Sequence, residues 1–393
     1  DVPPVATITR SEFEELLRAD EAPTEQEQRA DAQRATALRM LALLPAGQSS
    51  SDEAAIAAYA SNVLAFYTRS NATVTIVETN LGDVSLESSV AVLSHEFVHA
   101  QQDVDVDLQD FFDANVDSAD SLSATRSITE GEAVLHTSLT MARQPGAYVD
   151  AELFERFFSA QQQSLRESAA GEGEAAAQYT DISSSFPYPF GGQLVTDVWL
   201  ADGNAAVLDL YDSPPGSTAA VLRTLAGREP GGAVEPPPLG ITTVPDGWSV
   251  VAEDVLGAWI LFAVARRSGF VESSATAMAE DWAGDRIFVL GGATEAEAAM
   301  AWSIRFGTED LAEQFAGIQD AVPPEGVRAV EVDGRDVTLI MAPDDDMLEL
   351  ALGTFEAAVV EPGQSFVAPG TPQAGPLIRR SFDGPRGHRG HRH

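Results

Sequence analysis

Residues Leu93 to Asp103 read LSHEFVHAQQD, and the run HEFVH from His95 to His99 decides how the rest of the chain is read. On an α-helix, positions four apart lie one above the other, so His95 and His99 deliver two imidazole nitrogens to one point. That is the beginning of a tetrahedral zinc site. Glu96 falls beside the same point, where a carboxylate takes a proton from water whose pKa a metal has lowered. The helix expected here begins after Ser85 and carries Val90, Leu93, Phe97 and Ala100 as one apolar stripe, with the two histidines roughly opposite.

Outward from this helix, the residues from Ala72 to Val77 alternate with β-branched enrichment and predict a strand, followed by a turn near Asn80 to Asp83. The first sixty-odd residues read as helices, with Phe13, Leu16 and Leu17 at helical spacing and the same pattern at 35–44 and 54–66. Downstream, 103–120 is acidic and poorly periodic and reads as a loop. A helix follows over 122–141 containing ITEGEAVLH, then another over 152–166. The Gly, Glu, Ala and Ser mixture at 168–185 reads as a connector. Helices are expected at 191–199 and 205–211, with Pro214 and Pro215 breaking the pattern. The apolar run from Val255 to Ala265, bounded by Asp254 and Arg266, is a buried helix too short to span a bilayer. Val327 to Met341 alternates as a hairpin turning at Asp333 and Gly334, and 362–393 is rich in Pro, Gly, Arg and His.

The expected class is therefore α+β, mostly helical, with a second lobe of mixed α/β character. The reading divides the chain into a helical segment at 1–70, a metal-binding core at 71–170, a connector at 171–185, a second mostly helical lobe with a C-terminal hairpin at 186–361, and an extended basic tail at 362–393.

Against 23 Lys and Arg stand 61 Asp and Glu, a net charge of −38 over 393 residues. Such a surface repels nucleic acid and anionic membranes and attracts divalent cations, so calcium joins zinc as a possible ligand, without assigned residues. The absence of cysteine excludes thiolate ligands and nucleophiles, so any metal must use His and carboxylates. A start at Asp1, without methionine, carries the expectation of an exported chain, extracytoplasmic or secreted.

Two histidines leave zinc short of a protein ligand, and the candidates on the next helix are Glu130, Glu132 and His136. His136 stands four residues after Glu132, where the pair can simply support each other across a turn. Asp103, four residues beyond His99, is a candidate to orient that imidazole through its second nitrogen. Tyr188 in FPYPF can donate a hydrogen bond to a developing oxyanion or serve only in aromatic packing. Arg286 reads as a substrate-binding cation or as the partner of Asp281 or Asp285. Trp199, Trp259, Trp282 and Trp302 read as core anchors within apolar helices. The tail histidines His388, His391 and His393 alternate with Arg and Gly and are set aside.

The run Thr129-Glu130-Gly131-Glu132-Ala133 resembles the Asn-Glu-Gly-Phe-Ala run in which zinc aminopeptidases place their glutamate ligand, a register that implies Glu130. More broadly, SNVLAFYTRSNATVTIV (61–77), LSHEFVHAQQD, ITEGEA, FPYPFGGQLV, LYDSPPGSTAAVL, EDVLGAWIL and DWAGDRIFVL resemble, in order and spacing, a group of exported bacterial proteins with a gluzincin-type metallopeptidase signature. One departure is Thr68-Arg69-Ser70, where the group more often has an Asp-Pro turn. The resemblance implies a zincin-like core of edge strand, HExxH helix and glutamate helix. It implies one zinc held by His95, His99 and Glu130, Glu96 as general base, and a peptide or protein substrate laid along the edge strand. The alternative is a non-catalytic extracellular structural or interaction protein that keeps the fold.

Overall fold

The computed structural model describes residues 2–18, 24–45, 59–82, 84–143, 150–171, 178–232, 234–235, 237, 239–241, 243–319 and 326–357. The class is α+β and mostly helical. Strands β1 (Val5–Ile8), β2 (Ala65–Thr68) and β3 (Thr73–Val77) form a small sheet in the order β1-β3-β2, with β1 parallel and β2 antiparallel to β3. The predicted strand is β3. The helix expected over 54–66 does not extend to its last residues, where Ala65 and Phe66 pair with Ile76 and Thr75; residues 54–58 of it lie outside the described set. Phe66 instead stacks on Phe13, ring centroids 5.0 Å apart, in a small core with Ala60 and Val77.

Where a turn was expected after β3, a short helix Glu78–Leu81 forms, tied down by buried Asn80, which donates to the carbonyls of Ala60 and Val63. Helix Leu86–Val106 then starts at an N-cap, Ser85, whose hydroxyl accepts from the Ser88 N–H. It ends at Asp107, which has φ 51° and whose carboxylate accepts from Asp110 N, starting helix Leu108–Asn115. Most of the stretch read as a loop is therefore helical. Local capping organises a segment whose hydrophobic periodicity is weak.

Helix Ala119–Arg143 packs along Leu86–Val106 on one side and along a π-helical turn, Pro187–Gly191, on the other. The second contact is backbone to backbone: a Cβ on Gly131 would lie 2.4 Å from the Gly191 carbonyl oxygen, and one on Gly191 would lie 2.2 Å from that of Ser127. Gly131→Ala is therefore expected to destabilise the protein by about 1–3 kcal/mol in urea unfolding despite alanine's better helix propensity. An unchanged midpoint would show that this contact yields easily.

Helices Ala151–Ala169, Tyr179–Ser185, Gly192–Asp202, Asn204–Asp212 and Thr218–Leu225 follow. The predicted connector at 171–185 is helical in its second part; Tyr179 and Ile182 are buried, and Trp259 Nε1 donates to the Ile182 carbonyl at 2.9 Å. Residues 172–177 lie outside the described set. One buried cluster contains residues from both sides of this segment, from Ala37 to Met341.

The second half is mixed α/β, as expected, but its sheet has five strands where the sequence reading assigned only the C-terminal hairpin. After β4 (Leu239–Ile241), strands β5 (Ser249–Asp254), β6 (Trp282–Gly291), β7 (Ala298–Phe306), β8 (Val327–Asp333) and β9 (Asp336–Ala342) form an antiparallel sheet ordered β5-β6-β7-β9-β8. β10 (Phe355–Ala357) pairs with β4. Trp282 and Trp302 lie in β6 and β7, not in helices. The reason is burial on both faces: Ile287, Val289, Met300 and Trp302 join the main core, while Phe288, Leu290, Ala299 and Ala301 fill a second. Strands buried on both faces lose the alternation that identifies them. The hairpin is β8 and β9, turning at Gly334 with φ 59°, and helix Gly257–Arg267 is buried from Gly257 to Ala265. The predicted basic tail at 362–393 lies outside the described residues.

Three buried carboxylates tie these elements together. Asp285 accepts from Leu256 N and Gly257 N at 2.8 and 2.7 Å, Asp254 from Ala119 N at 2.9 Å, and Asp120 from the amide and hydroxyl of Thr218. Burial pushes the Asp120 carboxyl up to about 7 and that of Asp285 up to about 6. A folded-state carboxyl raised in this way adds stability that is complete below about pH 4 and lost as pH rises through 7. Asp120→Asn keeps an oxygen to accept from Thr218 and removes the ionisation. Its stability relative to the parent should rise between pH 5 and pH 8, by up to about 3 kcal/mol, in denaturant titrations at both pH values. A difference independent of pH would show that Asp120 does not titrate in this range.

Candidate metal centre

The geometry at HEFVH rests on two helices. Leu86–Val106 presents His95 and His99 on one face, and Ala119–Arg143 presents Glu130 against them. His95 Nε2 lies 3.1 Å from His99 Nε2 and 3.1 Å from Glu130 Oε2, and His99 Nε2 lies 3.5 Å from that same oxygen. A tetrahedral ion that holds nitrogen and oxygen ligands at about 2.0–2.1 Å spaces those ligand atoms roughly 3.3 Å apart. The three separations bracket that spacing, so the residues present fit a metal. Among the described residues no other group of three His or carboxylate side chains converges in this way, and calcium acquires no residues.

The electrostatics follow from burial. Glu130 is 8% exposed, and desolvation alone would raise its carboxyl; His99 and Arg126 reverse that and hold it well below the usual range. Arg126 Nη2 donates to Glu130 Oε1 at 2.9 Å, leaving Oε2 turned to the histidines. Burial pushes the His99 imidazole down, but the Glu130 carboxylate beside it prevails and brings it up to about 9. Glu96, also 8% exposed, is pushed up by burial, an effect softened by His99, His95 and a hydrogen bond from the Tyr67 backbone N–H of edge strand β2.

Tyr188 reaches the site from the π-helical turn, its ring 6.0 Å from that of His95 and nearly parallel at 24°. Although the residue is 36% exposed, desolvation at the site, with Glu130 second, pushes its phenol up, so the hydroxyl keeps its proton. Asp103 does not orient His99: its carboxylate accepts from the Tyr67 hydroxyl at 2.7 Å and from Leu108 N at 3.1 Å, securing the start of the next helix. His99 Nδ1 meets Gln102 Oε1 at 2.8 Å instead. Glu132 stays outside the converging group. Its Oε2 accepts from Gln102 Nε2 at 2.9 Å and from the Tyr211 hydroxyl at 2.7 Å, while its Oε1 is 3.8 Å from His136 Nε2. Arg286 approaches Glu253 at 4.0 Å, and neither expected partner holds it: Asp281 accepts from Thr308 and Asp285 from Leu256, Gly257 and Trp282.

Sequence reading missed Gln102, Arg126 and Tyr211. The first two carry a local signal, since Gln102 is three residues after His99 and Arg126 four before Glu130, both helical neighbours. Tyr211 carries none, because its 79-residue separation from Glu132 closes only in the fold. No protein-family model, curated protein or solved structure matches this chain.

Proposed function

We propose that this chain is a zinc-dependent peptidase, with His95, His99 and Glu130 as protein ligands and Glu96 as general base, on a zincin-like core. The observation that carries the reading is the convergence of three ligand atoms at 3.1–3.5 Å beside a buried carboxylate whose proton affinity burial has raised. Such a carboxylate holds a proton more readily than a solvated one, as a general base that must take up and release a proton requires. Zinc, when bound, supplies Lewis acidity that polarises a carbonyl and lowers the pKa of water. Glu96 accepts the proton of the attacking water and passes it to the amine nitrogen as the C–N bond breaks. The Tyr188 hydroxyl, kept protonated, donates to the oxyanion that develops on the substrate carbonyl. β2 is an edge strand of its sheet among the described residues and lies beside the HExxH helix, with its Tyr67 N–H on Glu96, and its remaining outward backbone groups suit an extended peptide that pairs through its backbone. Two imidazoles and one carboxylate with no thiolate suit zinc in a hydrolytic site that keeps a position open, and the choice of zinc over other divalent metals rests on the resemblance of HEFVH and TEGEA to the zinc-peptidase pattern.

No described helix is long and apolar enough to cross a membrane. The exported location implied by the resemblance remains part of this proposal, as does a peptide or protein partner. The test is elemental analysis of the purified chain together with hydrolysis of an unfolded protein such as reduced casein. About one zinc per chain, with cleavage abolished by a chelator and restored by zinc, is the expected result. Zinc without cleavage of any substrate would favour the non-catalytic alternative, and no zinc after dialysis against it would overturn the metal reading.

A further inference from the structure

We infer that Gln102, Glu132 and Tyr211 form a positioning chain that presents His99 to the site in a single tautomer. The inference rests on the metal reading above and concerns this chain's own side chains. Its starting point is the Gln102 amide, 3% exposed and bonded at three points. Two of its neighbours are acceptors only, the Thr129 carbonyl at 2.8 Å and Glu132 Oε2 at 2.9 Å. Both must face the NH2 group, because a flipped amide would set its oxygen against two other oxygens and lose two hydrogen bonds. The amide oxygen therefore points at His99 Nδ1, 2.8 Å away, and a carbonyl oxygen at that distance requires an N–H.

In the neutral ring, a proton on Nδ1 leaves the lone pair on Nε2, the nitrogen that faces His95 Nε2 and Glu130 Oε2. Free imidazole side chains favour the opposite tautomer, which would turn an N–H into the site. Glu132 is held in turn by the Tyr211 hydroxyl, from helix Asn204–Asp212, which donates to the same Oε2 at 2.7 Å. The order of support is Tyr211 to Glu132 to Gln102 to His99. It explains why Glu132, adjacent in sequence pattern to the proposed ligand, is half-buried with its Oε2 engaged by two donors and stays off the metal.

The tests separate this chain from the metal reading. In metal-free protein at a pH high enough to keep His99 neutral, 15N spectra of the imidazole should show the Nδ1–H tautomer in the parent and a shift towards Nε2–H in Gln102→Ala. Zinc affinity by chelator competition should fall about 10–100-fold in Gln102→Ala and Glu132→Ala, and less in Tyr211→Phe. Glu132→Gln should stay within about threefold of the parent, since an amide oxygen accepts from both donors; circular dichroism and thermal melts confirm that each variant folds. Equal losses in Glu132→Gln and Glu132→Ala would assign Glu132 a charge effect and overturn the chain. An Nε2–H ring in parent protein that binds zinc tightly would overturn it as well. An Nδ1–H ring in protein that binds no zinc would leave the chain standing and sink the metal reading alone.

Discussion

Glu130→Ala is expected to lower zinc affinity by about 100-fold or more, equivalent to about 2.7 kcal/mol, and to leave the purified protein with far less than one zinc per chain. The reason is geometric. Two imidazoles remain, but the third converging atom, the only anionic one, is gone. Alanine also removes the carboxylate oxygen to which Arg126 Nη2 donates, and the loss of a charge-paired hydrogen bond to a largely buried guanidinium carries its own cost. Glu130→Gln is the control, because an amide oxygen can still accept from Arg126 while the formal charge is lost. Both variants are expected to lose zinc, with Glu130→Gln closer to the parent in thermal stability. If Glu132→Ala emptied the site and Glu130→Ala did not, the assignment of the third ligand would be overturned.

The second large effect is on chemistry. Glu96→Gln should retain zinc within a few-fold of the parent and lose peptide hydrolysis by about a thousandfold, since a positioned general base contributes on the order of 10²–10⁴. The substitution is nearly isosteric, and glutamine still offers an oxygen to the Tyr67 N–H. Because burial raises the Glu96 carboxyl, the amide should not destabilise the metal-free fold. Zinc content and turnover are measured on the same preparation, which separates the two roles. A Glu96→Gln protein that hydrolyses peptide at the parental rate would remove Glu96 from the reaction, whatever the metal content.

Much of the candidate site is legible in the sequence. His95, Glu96 and His99 follow from a spacing of one helical turn, a property of the backbone that no tertiary contact alters. Glu130 was one of three open candidates on spacing and was singled out by resemblance. In the structure it converges with both histidines, while Glu132 turns to Gln102 and Tyr211. Asp103 was misplaced for an instructive reason. Four residues from His99 put it on the right face, but the Tyr67 hydroxyl and Leu108 N claim its carboxylate, and Gln102 takes the ring nitrogen one residue earlier. Spacing names the residues that can reach a point; competition among donors and acceptors selects the one that does.

The same division runs through the fold. The HExxH helix, β3, the buried helix at 257–267 and the hairpin at 327–342 could be read from local pattern because each has a polar face, a turn residue or a charged boundary marking its period. β6 and β7 could not, since both of their faces are apolar and only the five-stranded sheet separates one core from the other. Helical spacing alone put two imidazoles and a carboxylate within reach of one another. Only the packed chain could bring Tyr188 over His95 and Tyr211 to Glu132, through the close contact of Gly131 with Gly191 and the seating of helix Asn204–Asp212, because these are encounters between residues far apart in sequence and local backbone preference does not specify them.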